Sequence, residues 1–147
     1  YFFHKKSIHF FMKKIILTLS ILGCVSLLRA QTIESGDQST TGYINSDGTI
    51  ENTSHSTAGY IESDGTIENE SHSTIGYIDN DGTIENDSHS TVGYVDNDGT
   101  VENSSHSTIG YVNDDGTVED SSHSTIGHAD GVNKRWAAVV FFFFKFN

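Results

Sequence analysis

The feature that most constrains this chain is an internal repeat of 17 residues. Five nearly identical units follow one another, and a sixth breaks off after a few residues. Their first residues are Gly42, Gly59, Gly76, Gly93, Gly110 and Gly127. Repetition this regular is typical of stacked or radially arranged copies of one small unit that cannot bury its apolar face alone.

Each unit predicts a β-hairpin. In the third unit, β-type runs at residues 74–78 and 83–85 flank Asp81-Gly82, and Asp-Gly between apolar runs is a strong hairpin signal. Half units at both flanks raise the count to about 12 strands, and an open sheet of that width would leave two exposed edges. We therefore predict an all-β fold, a shallow closed antiparallel barrel of short strands, built from the hairpin repeats at 31–131.

The apolar segment at 132–147 predicts a plug. Twelve strands form a ring wider than the eight that side chains alone can fill, and this segment is apolar on every side from Trp136 to Phe144, which is typical of a buried element. The repeat glycines, such as Gly76, would lie against this segment, because a residue without a Cβ allows a close approach. We expect a helix that fills the centre; membrane insertion and an exposed aggregation-prone strand are the alternatives. The plug residues are Trp136, Val139, Val140, Phe141, Phe142, Phe143 and Phe144.

The N-terminal region predicts export. A basic start at 12–14, an apolar run at 15–28 and the small residue Ala30 are the three parts of a secretory signal. We expect a signal peptide at 12–30, cleaved after Ala30, with residues 1–11 as upstream sequence outside the product. The product would then lie in the periplasm, in the outer membrane or outside the cell. In an alternative interpretation of the N-terminus, Cys24 is the lipid-modified first residue of a lipoprotein.

The composition of the exported part narrows the function further. After cleavage at Ala30 the chain has 20 acidic and 3 basic residues, a net charge of −17, and no Cys. Disulfides cannot stabilise such a chain, and nucleic acid is excluded as a partner because it requires positive charge.

One histidine recurs in every unit, four residues after a glutamate. A rim of imidazoles and carboxylates could bind a metal ion or respond to pH. Adjacent copies would, however, lie about 9.5 Å apart, whereas each ligand of a zinc ion lies about 2.1 Å from it. We therefore expect each His to cap its Ser-His-Ser turn and predict no metal and no cofactor, with a weak metal-binding repeat protein as an alternative. The histidines are His55, His72, His89, His106 and His123.

Other candidate sites are explained more simply by turns and packing. Asp79-Asn80-Asp81-Gly82 resembles a calcium loop in composition, but an EF-hand would need Gly and Glu where Ile84 and Ser90 stand. The recurring tyrosines, such as Tyr77, suit cross-strand packing, with stacking on sugars or lipids as the alternative. An array repeated five times offers no unique catalytic pocket, so we expect no enzymatic activity.

The unit Gly-Tyr-Ile/Val-x-x-Asp-Gly-Thr-Ile/Val-Glu, the secretion signal and the tail Arg-Trp-Ala-Ala-Val-Val-Phe-Phe resemble the β-flower family, uncharacterised secreted bacterial repeat proteins. The resemblance covers essentially the whole exported chain and implies petal-like hairpins around a shallow barrel. That fold is similar to the Tubby C-terminal domain and to phospholipid scramblases, which wrap twelve strands around an apolar helix. The similarity implies a lipid or membrane surface as partner.

The positive charge needed for an anionic lipid is scarce here. Phosphoinositide binding in Tubby uses basic residues, and only Lys134, Arg135 and Lys145 are available after Ala30. We therefore expect a non-enzymatic secreted module that binds to, or supports, the cell envelope, without an anionic lipid as partner. A linear β-solenoid acting as an adhesin or spacer is the alternative from another class.

Overall fold

The computed structural model describes residues 30–146. The predicted upstream segment 1–11, the signal peptide up to residue 29 and Cys24 lie outside the described residues. The strands are β1 (Gln31–Ser35), β2 (Thr40–Ile44), β3 (Thr49–Asn52), β4 (Thr57–Ile61), β5 (Thr66–Asn69), β6 (Thr74–Ile78), β7 (Thr83–Asn86), β8 (Thr91–Val95), β9 (Thr100–Asn103), β10 (Thr108–Val112), β11 (Thr117–Asp120) and β12 (Thr125–His128).

The strands form one closed barrel in which chain neighbours pair antiparallel. Closure joins β1 to β12, with Glu34 opposite His128 and Ser35 opposite Gly127. The two half units of the sequence therefore form the last hairpin together. The predicted all-β closed barrel is confirmed, and the alternative of a linear solenoid is wrong, because the units close on themselves instead of stacking along a line.

Two kinds of loop alternate around the barrel, and they share one backbone geometry. In the Asp-Gly loop, Asp79 N–H donates to Thr83 O at 2.9 Å and Gly82 N–H donates to Asp79 O at 3.0 Å. In the Ser-His loop, the equivalent bonds from Asn86 and His89 are both 3.0 Å. This pattern is that of a three-residue hairpin loop, a type I turn followed by a left-handed residue.

The left-handed position differs between the two loops. Gly82 occupies it in the Asp-Gly loop with a φ of 95°, and His89 occupies it in the Ser-His loop with a φ of 58°. The sequence predicted positive φ at the Asp-Gly pair, and only the glycine has it. We call the two ends of the barrel the Asp-Gly mouth (loops at 45–48, 62–65, 79–82, 96–99, 113–116 and 129–131) and the Ser-His mouth (loops at 35–39, 52–56, 69–73, 86–90, 103–107 and 120–124).

A β-bulge follows every Ser-His loop. Across β7 and β8, Ile84 pairs with Gly93 and Glu85 with Thr91, so that Val92 has no opposite residue. Such a bulge bends the strand. Here Val92 packs against the core as a half-buried residue, and Gly93 next to it is buried, so both face the barrel interior.

The barrel interior contains one helical segment, α1 (Lys134–Ala138), which continues directly as a π-helix (Val139–Phe143). The side chain of Asn133 caps α1 by accepting from Arg135 N–H at 2.9 Å. At the other end, Phe144 N–H donates to Val139 O at 3.0 Å, the i→i+5 bond of a π-helix. In the part of the chain that the structure describes, no helix has the length and apolarity needed to span a membrane.

The narrow centre of the barrel is filled by small residues. Each strand or its end contributes one buried aliphatic residue, and Ala137, Ala138 and Val139 lie among them with 0% exposure. The other predicted plug residues, from Trp136 to Phe144, are half-buried around this centre, because the inward aliphatic side chains leave no room for large rings. The aliphatic residues are Ile33, Ile44, Ile50, Ile61, Ile67, Ile78, Ile84, Val95, Val101, Val112, Val118 and Ala129.

Polar contacts orient the helix in the barrel. Lys134 Nζ lies 2.6 Å from a carboxylate oxygen of Asp114 and donates to Asp98 O at 3.0 Å. Arg135 donates to Asn97 Oδ1 at 3.4 Å. All three partners belong to the Asp-Gly mouth, so the helix starts there and its phenylalanine-rich end points towards the Ser-His mouth.

Candidate functional site

Five phenylalanine rings at the end of the helix spread over five hairpins. Each ring lies against the first glycine of one unit, and we call these rings the phenylalanine crown. The contacts are Phe141 to Gly127, Phe142 to Gly110, Phe143 to Gly93, Phe144 to Gly76 and Phe146 to Gly59. A Cβ at Gly59 would lie 2.5 Å from Phe146 Cδ1, so the expected close approach at these glycines is present.

The π-helix allows successive phenylalanines to contact successive hairpins. Neighbouring glycines lie about 60° apart around six hairpins, whereas an α-helix turns about 100° per residue. The i→i+5 ladder at 139–143 turns less per residue, which brings Phe141, Phe142 and Phe143 closer to the spacing of the hairpins. At Phe144 the backbone becomes extended, and since side chains alternate in extended chain, Phe146 meets the next glycine while Lys145 is exposed.

The crown gives the Ser-His mouth an apolar floor. All five rings are half-buried and pack against the core, and the bulge residues beside them, such as Ile75 and Val92, are half-buried as well. The part of each ring that does not pack against the core is accessible to solvent. Apolar surface that is contiguous and ringed by polar loops is typical of an interaction site.

The loops of the two mouths differ in the number of acidic residues. The Asp-Gly loops have ten carboxylates and the Ser-His loops have four. The ten are Asp47, Glu62, Asp64, Asp79, Asp81, Asp96, Asp98, Asp114, Asp115 and Asp130. The four are Asp37, Glu70, Asp87 and Asp120. Six further glutamates lie in the strands directly beside the Ser-His loops: Glu34, Glu51, Glu68, Glu85, Glu102 and Glu119. The two mouths therefore differ in where the negative charge lies, in the loops at the Asp-Gly mouth and mainly on the strands beside the loops at the Ser-His mouth.

Hydrogen bonds favour the ionised form of five aspartates at the Asp-Gly mouth. The carboxylate of Asp81 accepts from Thr83 N–H at 3.0 Å, and this bond, with the Thr83 hydroxyl, lowers the pKa of Asp81. A hydrogen bond to the charged form favours ionisation. The same arrangement lowers the pKa of the corresponding aspartates, Asp47, Asp64, Asp98 and Asp115.

The outer wall beside the Ser-His mouth has five copies of a Tyr-His-Glu cluster. In the third copy, His89 Nδ1 lies 2.9 Å from Glu85 Oε2, and the imidazole stacks on Tyr77 with ring centroids 4.3 Å apart and 12° between planes. Both contacts offset the cost of placing a non-glycine residue in the left-handed region. The stacked pairs are Tyr43–His55, Tyr60–His72, Tyr77–His89, Tyr94–His106 and Tyr111–His123.

The histidines act differently from the expected caps. Asn86 Oδ1, and not His89, accepts from Ser88 and Ser90 N–H, both at 3.0 Å. Sequence reasoning missed the stacking, although two signals were present: His follows Tyr by 12 residues in every unit, and His occupies the third place of a three-residue loop. Within residues 30–146, no group of three or more His, Cys, Asp or Glu could hold a metal ion.

These features define a class of protein, a closed barrel of tandem hairpins around its own C-terminal helix, with one aromatic ring for each of five hairpins. A model of the 5-fold beta-flower protein family matches residues 30–145, and the chain belongs to this family. The resemblance carried by the repeat and the tail is thereby confirmed. Comparisons with curated proteins and with solved structures found no match.

Proposed function

We propose that this protein is a non-enzymatic, exported module of the cell envelope that docks through its Ser-His mouth onto an electrically neutral lipid surface. The observation that carries the proposal is the phenylalanine crown at that mouth, whose rings are only partly buried. The predicted signal peptide at 12–30 supports export. The fold similarity to lipid-associated barrels that the β-flower resemblance implies agrees with the choice of partner.

The distribution of charge favours a neutral surface over an anionic one. The exported chain has a net charge of −17, which an anionic membrane would repel. Carboxylates lie at both mouths, and at the docking mouth six of the ten belong to strand glutamates beside the loops, so an anionic surface would be repelled there as well. Lys145, next to the crown, is the one basic side chain beside the docking face among the described residues.

The crown supports weak and reversible docking. Complete burial of one Phe side chain contributes about 1.5 to 3 kcal/mol, and these rings are already half-buried. The remaining gain is at most about 1 kcal/mol for each of five rings, and the total corresponds to a dissociation constant no tighter than roughly 0.2 mM. An affinity of this order suits a module that is held near its surface by confinement in the envelope.

Vesicle flotation tests the proposal. We expect the protein to float with phosphatidylcholine vesicles and to float less when phosphatidylglycerol is added. A triple variant that adds charge to exposed serines of the docking mouth, Ser71→Glu, Ser88→Glu and Ser105→Glu, should lose flotation, because each carboxylate would have to be desolvated at the lipid surface.

A matched variant separates docking from net charge. Ser46→Glu, Ser63→Glu and Asn80→Glu add the same charge to exposed positions of the Asp-Gly mouth and should leave flotation on phosphatidylcholine unchanged. The proposal is wrong if the unmodified protein stays at the bottom of the gradient. It is also wrong if the two triple variants float equally.

A further inference from the structure

One glycine of the barrel lacks a crown ring. Six units begin with glycine, and five of these glycines contact a phenylalanine. Around Gly42, the atoms nearest to a Cβ position are backbone atoms of Glu51 and Asn52, and no described aromatic ring comes within 4 Å. The inner side of this hairpin therefore has the same backbone as the other five hairpins, but no phenylalanine ring packs against it.

A cavity lies over Gly42. It has a volume of about 220 Å³ and lies between the helix and strands β1 to β3. Ile33, Ile50 and Val140 form aliphatic walls, and Phe144 and Phe146 form an aromatic side. Such walls favour an apolar ligand, and an exposed ring edge favours another aromatic ring packed against it.

We infer that this cavity is a binding site for a small ligand that has a single aromatic ring and a carboxylate. The ring would lie on Gly42 as the crown rings lie on the other five glycines. The inference goes beyond lipid docking, because it concerns the inner side of one hairpin and not the surface of the whole mouth.

The volume limits the ligand to one ring. A cavity of about 150 Å³ accommodates benzene, so about 220 Å³ accommodates one ring with a short substituent. Sites for larger ligands measure roughly 300 to 1,000 Å³. A fused ring system or an acyl chain of lipid length would extend out of the open side of the cavity.

A basic residue at the edge of the cavity is the reason for proposing a carboxylate on the ligand. Lys145 is exposed and lines the cavity, so its ammonium group can pair with an anion. Glu51 also lines it, but its carboxylate accepts from Asn45 Nδ2 at 3.2 Å and lies 3.0 Å from His55 Nδ1 on the outer wall. Thr41 stands where later units have Ala or an aliphatic residue, which makes this edge more polar than its counterparts.

Phenylacetate is the probe for the test. We expect it to shift the methyl NMR signals of Ile33, Ile50 and Val140 through the ring current, with a dissociation constant on the order of 1 mM for a ligand of this size. Val95, which lies in β8 on the opposite side of the ring from β2, provides a methyl signal that should not move. Cyclohexylacetate, which has the charge without the flat ring, should bind more weakly.

Two variants test where the ring and the carboxylate of the ligand bind. Val140→Phe places a ring in the cavity and should abolish phenylacetate binding without loss of the fold, which the dispersion of the remaining methyl signals reports. Lys145→Met should weaken phenylacetate roughly three-fold and leave uncharged 2-phenylethanol unaffected. If phenylacetate moves no cavity methyl, or if Val140→Phe binds it as tightly as the unmodified protein, the inference is wrong.

Discussion

The two mouths of the barrel have the same loop geometry and different chemistry. At the Asp-Gly mouth, glycine takes the left-handed position, which costs little. At the Ser-His mouth, histidine takes it in five loops, at a cost of about 1 to 2 kcal/mol relative to the right-handed form. The difference shows that the second mouth retains a side chain where backbone geometry alone would favour glycine.

The interior shows the same division. Near the Asp-Gly mouth, large aliphatic residues on the strands surround small residues on the helix, such as Ala137 and Ala138. Near the Ser-His mouth the sizes are exchanged, with glycines on the strands and phenylalanines on the helix. One half thus resembles an ordinary close-packed core, and the other half leaves ring surface accessible.

Loss of the helix should have the largest effect on stability. Deletion of residues 132–147 removes Ala137, Ala138 and Val139 from the centre and exposes the surrounding aliphatic residues to a water-filled ring. We expect the loss of cooperative unfolding, measured by calorimetry and by the collapse of amide NMR dispersion. Lys145→Met, on the exposed part of the tail, serves as the control and should melt as the unmodified protein does. A sharp thermal transition in the deletion variant would contradict the role of the plug.

A pair of glycine variants isolates the contribution of one crown ring. A Cβ at Gly76 would lie 2.5 Å from Glu85 O and also overlap Phe144, whereas a Cβ at Gly42 would lie 2.6 Å from Glu51 O and meet no ring. Gly76→Ala should therefore be the more destabilising, by about 1 to 3 kcal/mol of overpacking. Urea denaturation of both variants measures the difference, and equal losses would mean that the ring moves aside freely.

The smallest expected effect is the acid response of the Asp-Gly mouth. The Thr83 N–H lowers the pKa of Asp81 in the folded state, so this group's stabilisation is present above the unfolded pKa of about 4 and is lost as pH falls through the lower folded value. Asp81→Asn should make the urea midpoint fall slightly less between pH 6 and pH 2. Asp87→Asn, in a Ser-His loop, is the matched control. An unchanged acid response in Asp81→Asn would contradict this account.

The repeat predicted much of the barrel because its information is local. The residues between Thr74 and Glu85 contain a complete hairpin with its turn, and counting the half units leads to twelve strands. The contact of Tyr77 with His89 is less evident, since it requires the left-handed backbone at His89, a conformation more typical of Gly or Asn. The close approach of the plug to the glycines was expected, but the pairing of one ring with one glycine was missed, because neighbouring phenylalanines in the tail contact glycines that lie 17 residues apart.

The contact of successive phenylalanines with successive hairpins couples the tail to the copy number of the repeat. Duplication of one 17-residue unit would add two strands and one glycine to the ring, while the number of aromatic residues in the tail would stay the same. Removal of a unit would leave five such glycines for the five phenylalanines, so the hairpin without a ring would disappear. Tandem repeats that gain whole units are therefore constrained here by a segment outside the repeat, because each added petal needs one more aromatic residue in the tail if its glycine is to be covered.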